Sequence, residues 1–400
     1  MAVAVGVDVA KELHWAAIVQ IETGAVLVSR NVANEPAAIQ ELIDQIRAVE
    51  AEQGPATVAI DVLGGIAGLL QVMLSDAGLH VVHVSGLAVN RARRATRGGE
   101  HKSDPRDAKV IADQIRLRGE ELRPVTADAD ADAELRLLAG RRRELVVDQT
   151  RRIGRLRDLL ASIHPGLERV LDPTNKADAA LLARYVTPAQ IRRAGRSRII
   201  TYLRTTGRHN TAVITALTDK ALAAAAGQRV TVPGEAVAAD IVRDLAREVL
   251  ACRDKIAAID VHLAEALTQH PDAALVQSLP GMGAILTAEF LAVAGGINRF
   301  ASGDQLASAA GLAPVLQQSG KMHYLRRATA GDKTLKRIFY QSAFCALQRD
   351  PASRAFYDRK RSEGKRHHQA LIALARRRIN VLHAILRTRQ PYRTNFALAA

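Results

Sequence analysis

The chain predicts an α/β N-terminal part followed by a long, mostly helical remainder. Three observations carry this expectation. Short apolar runs ending in acidic residues come first, separated by helical spacing. Two long stretches, 130–163 and 235–269, then hold aliphatic residues at steps of three and four, the spacing of one helix face. From about residue 270 onward, glycine-punctuated helical segments lead into a strongly basic end. Expected boundaries are 1–125, 126–270 and 271–400.

Val3 to Val9 reads as a buried strand with Asp8 near its end, and Leu13 to Ile21 and Ala25 to Val32 follow with strand-like composition. Glu22-Thr23-Gly24 between them suits a hairpin turn. Ala38, Ile39, Leu42, Ile43 and Ile46 mark a helix. Ala56 to Ile60 is another strand, ending at Asp61; Gly64-Gly65 leads into a helix through Leu69, Leu70 and Met73; His80 to Val84 is a further strand. A basic connector (Arg91, Arg93, Arg94, Arg97) precedes a helix that starts at Asp104-Pro105-Arg106-Asp107 and runs to about Arg118. Three sequential strands, then strands alternating with helices, imply a mixed sheet covered on both faces. This is the element order of the ribonuclease-H-like fold.

Within that order four acids are candidates for one site: Asp8 and Asp61 at strand ends, Asp104 and Asp107 on a helix start. Residues three apart share a helix face, so the last two can point at one spot, flanked by Lys102 and Arg106. The same letters also suit an ordinary helix start, with Asp104 as N-cap, Asp107 in a capping-box role and Pro105 at the first helical position. Four converging carboxylates cannot all stay ionised without a cation. An oxygen-only set selects Mg²⁺ or Mn²⁺, and two such ions about 4 Å apart can serve phosphodiester displacement.

The long segments 130–163 and 235–269 read as helices that pack on each other or pair across subunits; Ile241, Leu245, Val249, Cys252, Ile256, Ile259 and Leu263 form the stripe of the second. Leu279-Pro-Gly-Met-Gly283 between two helical runs resembles a helix-hairpin-helix element. Gly281 and Gly283 there would let backbone amides approach a phosphate; a plain helix-helix turn would use the same residues. Ser302 reads as an N-cap and Ser308 as helical. Ser319 precedes Gly320 in an expected loop and is followed by Lys321, Arg326, Arg327, Lys333, Lys336 and Arg337. A serine among cations can hold a phosphate or attack one.

The totals set bounds. The net charge is +15. Residues 321–400 hold 19 Lys/Arg against four Asp/Glu, so the excess lies in the last fifth of the chain. Such a block points to a polyanion, most often nucleic acid. Two cysteines, Cys252 and Cys345, without metal-ligand or disulfide spacing, fit a reducing cytoplasm. No run reaches the roughly 18 apolar residues of a membrane span, and the N-terminus reads as a strand rather than a signal peptide.

Five motifs occur in a fixed order: Gly6-Val-Asp8-Val-Ala-Lys11, Ile60-Asp61-Val-Leu-Gly-Gly65, Lys102-Ser-Asp104-Pro-Arg-Asp107-Ala, Leu279-Pro-Gly-Met-Gly283, and Gly311-Leu-Ala-Pro314 followed by Gln318-Ser319-Gly320. On these the chain resembles the IS110 (IS116/IS902-like) family of bacterial insertion-sequence transposases, over about 1–125 and 270–390. The resemblance implies a RuvC-like N-terminal domain whose Asp-Glu-Asp-Asp metal site falls on Asp8, Asp61, Asp104 and Asp107. It also implies a C-terminal transposase domain in which Ser319 attacks DNA. A serine–DNA intermediate, an element-encoded bridge RNA, a tetramer and a bacterial, nucleoid-associated location come with it. One position departs: the second acid is usually Glu, and here Asp61 is a methylene shorter. No base stands beside Ser319 in sequence, so carboxylate-held Mg²⁺ is expected to activate the hydroxyl. The cations after it would then stabilise the developing charge. A water-using nuclease with a structural Ser319 and a non-catalytic nucleic-acid-binding protein are the other readings these residues allow.

Overall fold

The computed structural model describes residues 2–95, 101, 103–125, 130–320 and 322–393. Lys102, Lys321 and Arg97 lie outside the described residues. The chain divides into two compact units, Met1–Asp128 and Ala129–Ala400. The expected break near 270 is not a unit boundary.

The first unit is a mixed α/β sheet. Its strands are β1 (Val3–Asp8), β2 (Leu13–Gln20), β3 (Val26–Ala33), β4 (Ala56–Ile60), β5 (His80–His83) and a two-residue β6 (Arg123–Pro124), in the order β3-β2-β1-β4-β5-β6. β1 is antiparallel to β2 and parallel to β4, and β4 is parallel to β5. β6, which composition did not predict, closes the edge antiparallel to β5. Helices α1 (Pro36–Gln53), α2 (Gly68–Asp76), α3 (Gly86–Arg94) and α4 (Asp104–Arg118) complete it. Much of the expected basic connector is therefore helix α3.

Side chains alternate across a strand, and this sorts the first unit's apolar residues into two cores. Val3, Val5 and Val7 of β1, with Val58 and Ile60 of β4, pack with Ile39, Leu42, Ile46, Leu70 and Leu74 of α1 and α2. Ala4 and Ala59 face the other way and pack with Ala108, Ile111 and Ala112 of α4. The residues under α4 are small because the helix lies very close. A Cβ on Gly6 would stand 2.1 Å from the Ala108 carbonyl oxygen and 2.4 Å from the Ala112 nitrogen. Only glycine fits there without moving the helix.

Among its described residues the second unit is helical apart from one hairpin. α5 (Asp130–Ile163) and α10 (Glu235–Gln269) run antiparallel, tied by Arg142–Asp260 at 2.5 Å, Gln149 to the Val249 carbonyl at 3.3 Å and Arg152–Glu248 at 2.7 Å. They pack on each other within one chain, across the long insertion that separates them in sequence. Of the expected stripe on α10, Val249, Cys252 and Leu263 are buried and Leu245, Ile256 and Ile259 half-buried, while Ile241 is exposed and Val242 and Ala246 are buried beside them.

Between the two lie α6 (Pro165–Val170), α7 (Lys176–Leu182), α8 (Pro188–Thr205) and α9 (Thr211–Ala226), with a core of their own. α8 opens on a Thr187/Gln190 capping box and bends at Gly195, whose φ is 68°. After α10 come α11 (Ala273–Ser278), α12 (Ala284–Ala294), α13 (Gly303–Ala309), the strands β7 (Val315–Ser319) and β8 (Met322–Arg326), then α14 (Lys333–Ala346), α15 (Pro351–Ser362) and α16 (His367–Thr388). Leu135 and Ala139 of α5 and Leu263 and Leu267 of α10 belong to the same core as Phe290, Phe339 and Leu374. That shared core is why the long helices are no separate spacer. No described helix is long and apolar enough to cross a membrane.

Candidate functional site

β1 and β4 are parallel neighbours in register, Val7 opposite Ile60. The next residue of each is an acid, so Asp8 and Asp61 leave the sheet side by side. By alternation both lie on the face that carries α4. Val9 N–H donates to Asp61 Oδ1 at 3.2 Å, tying the two strand ends together. Asp107 sits in the first turn of α4 and is buried, 5% exposed. Asp61 and Asp107 repel each other. Burial first, with Asp107 adding to it, pushes the Asp61 carboxyl above the usual carboxylate range, against the Val9 N–H and the nearby His83.

Asp104 differs. It is exposed, one turn before Asp107 on α4. The N-cap of α4 is Ser103, without a side-chain cap bond, so Asp104 is the first helical residue and Pro105 the second. The capping-box expectation therefore fails by one position. Asp8 and Asp61 are thus on the α4 side of the sheet and Asp107 lies near Asp61, while Asp104 is exposed one turn away. Among the described residues no group of three or more His, Cys, Asp and Glu is placed as it stands to hold a metal ion.

Arg93 is the residue that sequence reasoning missed. From α3 its Nη1 donates to both oxygens of Asp107, at 3.0 and 2.8 Å, with both side chains largely buried. A cation of the protein thus already faces this carboxylate. The set still fits a hard divalent ion in its chemistry: each donor is a carboxylate oxygen, and the crowding of Asp61 with Asp107 is what added positive charge relieves. Arg93→Gln strands Asp107 without its cation. Breaking a buried pair from one side costs about 3 kcal/mol or more. Urea denaturation should show that loss, and the double variant with Asp107→Asn should recover most of it. Full additivity of the two substitutions would show that the pair does not couple.

Ser319 is the last residue of β7, not part of a loop. It pairs across the hairpin with Met322, and Gly320 at φ 55° begins the two-residue connection, the conformation such tight hairpin turns require. Both strands are almost wholly exposed, so the serine stands at the tip of a projecting hairpin. His323 pairs with Gln318, one register position away. Its ring is therefore on the opposite face from Ser319, and the hairpin supplies the hydroxyl with no base from that side chain.

The remaining expected nucleic-acid contacts divide. Arg326, Arg327 and Lys333 are exposed, and Lys336 donates to the Gly311 carbonyl at 3.1 Å. Arg337 is exposed and ion-paired with Glu289 at 2.7 Å. Arg106 lies half-buried on α4.

Gly281, with φ 82°, packs against α14: a Cβ would stand 2.5 Å from the Ser342 carbonyl oxygen. Arg378, buried on α16, donates to Ser342 Oγ at 2.8 Å and to the Pro280 carbonyl, pinning the same turn. Burial pulls its guanidinium down to about 10. Gly281 thus serves helix–turn packing, and only Gly283, exposed at the start of α12, has open space before it. Gly281→Ala is expected to cost at least about 2 kcal/mol, from overpacking plus positive φ. Urea denaturation checks this; a stability equal to wild type would return the glycine to the phosphate reading.

The fold and these sites define a two-unit protein with an acidic sheet end and a cationic helical unit. Comparison with known proteins gives its class. A profile described as "Transposase" matches residues 5–165, and one described as "Transposase IS116/IS110/IS902 family" matches 273–358. The chain is 43% identical to an uncharacterized protein of insertion element IS900 of Mycobacterium paratuberculosis, over 99% of this chain and 98% of that one. It is 40% identical to an uncharacterized protein of insertion element IS116 of Streptomyces clavuligerus, over 96% and 95%. Against one from IS110 of Streptomyces coelicolor it is 35% identical, over 96% and 93%. It belongs to the IS116/IS110/IS902 family of transposases. Among solved structures it is similar to Thermus thermophilus RuvC in complex with a Holliday junction substrate, at 18% identity and a TM-score of 0.25, covering 31% of this chain and 100% of that one.

Proposed function

We propose that this transposase cuts and rejoins DNA by serine transesterification, with a RuvC-like, metal-dependent carboxylate site in its first unit. The observation that supports the reading most is that Asp8 and Asp61 follow adjacent parallel strands in register while Asp107 comes close enough to Asp61 to raise its pKa. Carboxylates crowded at the ends of adjacent parallel strands, one of them half-buried with a raised pKa, are costly to a fold. A fold that keeps them has a use for them. Asp8, Asp61 and Asp107, with the exposed Asp104, are the residues that would hold Mg²⁺ or Mn²⁺. Such an ion supplies positive charge to a phosphate oxygen and makes a hydroxyl easier to ionise.

Ser319 is the proposed nucleophile. Its oxygen bonds to phosphorus as a deoxyribose oxygen departs; the serine gives up a proton and the departing oxygen gains one. The phosphodiester becomes a phosphoserine ester of similar energy, so a hydroxyl on another DNA strand can reverse the step and rejoin the chain. Position at an exposed hairpin tip suits a group that must reach a phosphate on a large substrate. Asp61 in place of the family's Glu shortens one ligand arm by a methylene. A guide RNA and a homo-oligomer complete the reading, on the strength of the family resemblance.

The test is direct. Wild-type protein is incubated with Mg²⁺, RNA transcribed from the element's non-coding segment and duplex DNA carrying the element's ends, then denatured and digested with nuclease. Peptide mass spectrometry should then find a nucleotide on Ser319. Cleaved DNA with no protein-linked nucleotide would turn the assignment to a water-using nuclease. In parallel, calorimetric titration with Mn²⁺ should give binding to wild type that Asp61→Asn weakens at least tenfold. Equal binding would remove the carboxylate site.

A further inference from the structure

A cleft of about 520 Å³ opens where the serine hairpin joins the body of the second unit. Its walls come from three places: the segment 311–314, the base of β8 with the residues after it, and one side of α14 and α16, with Leu312, Pro314, Leu325 and Ile372 giving part of the lining an apolar character. Arg326, Arg327, Lys336, Lys365 and Arg376 line it, together with Gln369, and no carboxylate is among its described lining residues. Arg376 reaches Asp304 at 3.1 Å, and Lys365 touches Glu363 at 3.4 Å, both outside the lining. Burial and then the charge of Arg327 push the Lys336 amine below its usual range. Two of the five cations thus have carboxylate partners at the cleft's edge, while Arg326, Arg327 and Lys336 meet no carboxylate among its described lining residues, an excess that an anion from outside would stabilise.

We propose that this cleft is a phosphodiester subsite, holding the backbone of duplex DNA at the foot of the hairpin whose tip carries Ser319. It rests on the DNA-recombination reading above and deepens it, adding Lys365, Gln369 and Arg376 to the contact surface. The hairpin fixes the spacing. Ser319 is four residues from Val315, whose partner Arg326 opens the cleft; at a strand rise of about 3.4 Å per residue that is about 14 Å. Each DNA strand advances about 3.4 Å per phosphate along the helix axis. Backbone contacts of this kind set register without reading bases.

The experiment measures affinity for a short duplex by fluorescence anisotropy across a salt series. The full-length chain carries Ser319→Ala, so that no covalent step intervenes. Every phosphate that the protein ceases to neutralise lowers the slope of log K against log salt by about 0.9. Lys365→Gln with Arg376→Gln should lower it by about 1.8, twice that amount. Arg198→Gln, an exposed cation on α8, should leave it unchanged. Equal decreases at Arg198 and in the cleft would mean diffuse attraction and overturn the subsite. So would a slope change seen with single-stranded RNA of the same length but not with the duplex.

A second measurement needs no variant. In the wild-type protein, duplex DNA should shield Lys336 and Lys365 from amine acylation while Lys220 on α9 stays reactive; acylation of Lys336 and Lys365 at the DNA-free rate overturns the proposal. Absence of the nucleotide–Ser319 species with the cleft results intact would sink the recombination chemistry and leave the subsite standing.

Discussion

Ser319→Ala should leave no protein attached to DNA after denaturation, while duplex binding stays within about twofold of wild type. The expectation is all-or-none for the adduct because the substitution removes the atom that bonds to phosphorus. Binding should persist because Ser319 is one small residue at the hairpin tip, and the cations lie elsewhere: Arg326 and Arg327 at the hairpin's base, Lys336 on α14. Folding should be untouched as well, since the strand is exposed along its length and a serine-to-alanine change there removes no described packing. Ser319→Cys is the informative companion. A thiol is larger and differently activated, so an adduct at a reduced rate would show that the position carries the nucleophile. If Ser319→Ala still yields a DNA–protein species on a denaturing gel, another residue is the nucleophile. If it yields strand cleavage at the wild-type rate without a linked species, the carboxylate site works with water alone.

Some of this site was legible in the letters and some was not. Asp8 and Asp61 could be placed because each follows an apolar run of strand length, and parallel neighbours bring such ends together. Asp107 could be placed on a helix but not over those strands. What puts it there is Gly6 against Ala108 and Ala112, an approach between residues about a hundred positions apart. Arg93 was visible only as one cation in a basic run; its bond to Asp107 depends on α3 and α4 packing side by side. The serine hairpin escaped because Val315-Leu-Gln-Gln-Ser has no period-two alternation. An exposed two-stranded ribbon has no buried face to impose one. At Pro280-Gly281-Met282-Gly283 the letters allowed a phosphate turn or a packing turn. The choice was made by Ser342 and Ala346, which local sequence cannot see. Alternation and length reach as far as the sheet; the assignment of partners belongs to tertiary packing.

Gly6→Ala should be the most damaging single-methyl change in the first unit. The added carbon would lie 2.1 Å and 2.4 Å from two backbone atoms of α4, a carbonyl oxygen and an amide nitrogen. Neither can swing aside as a long side chain would, so either the helix lifts or β1 deforms. Overpacking typically costs about 1–3 kcal/mol, and backbone-on-backbone overlap sits at or above the top of that range; about 3 kcal/mol is expected in urea denaturation. The functional consequence is sharper than the stability change. Asp107 rides on α4 and its distance from Asp61 is set by this seat, so lifting the helix separates the carboxylates. Mn²⁺ affinity and adduct formation should then fall by at least tenfold even under conditions where the protein remains folded. Gly86→Ala is the control: it lies at the start of α3 with nothing within 4 Å of a Cβ, and its stability should change by less than about 1 kcal/mol. A Gly6→Ala protein with wild-type stability and Mn²⁺ binding would mean that the seat of α4 on β1 does not position the acids. A destabilised protein with unchanged Mn²⁺ affinity would mean that Asp107 lies outside the ion's ligand set.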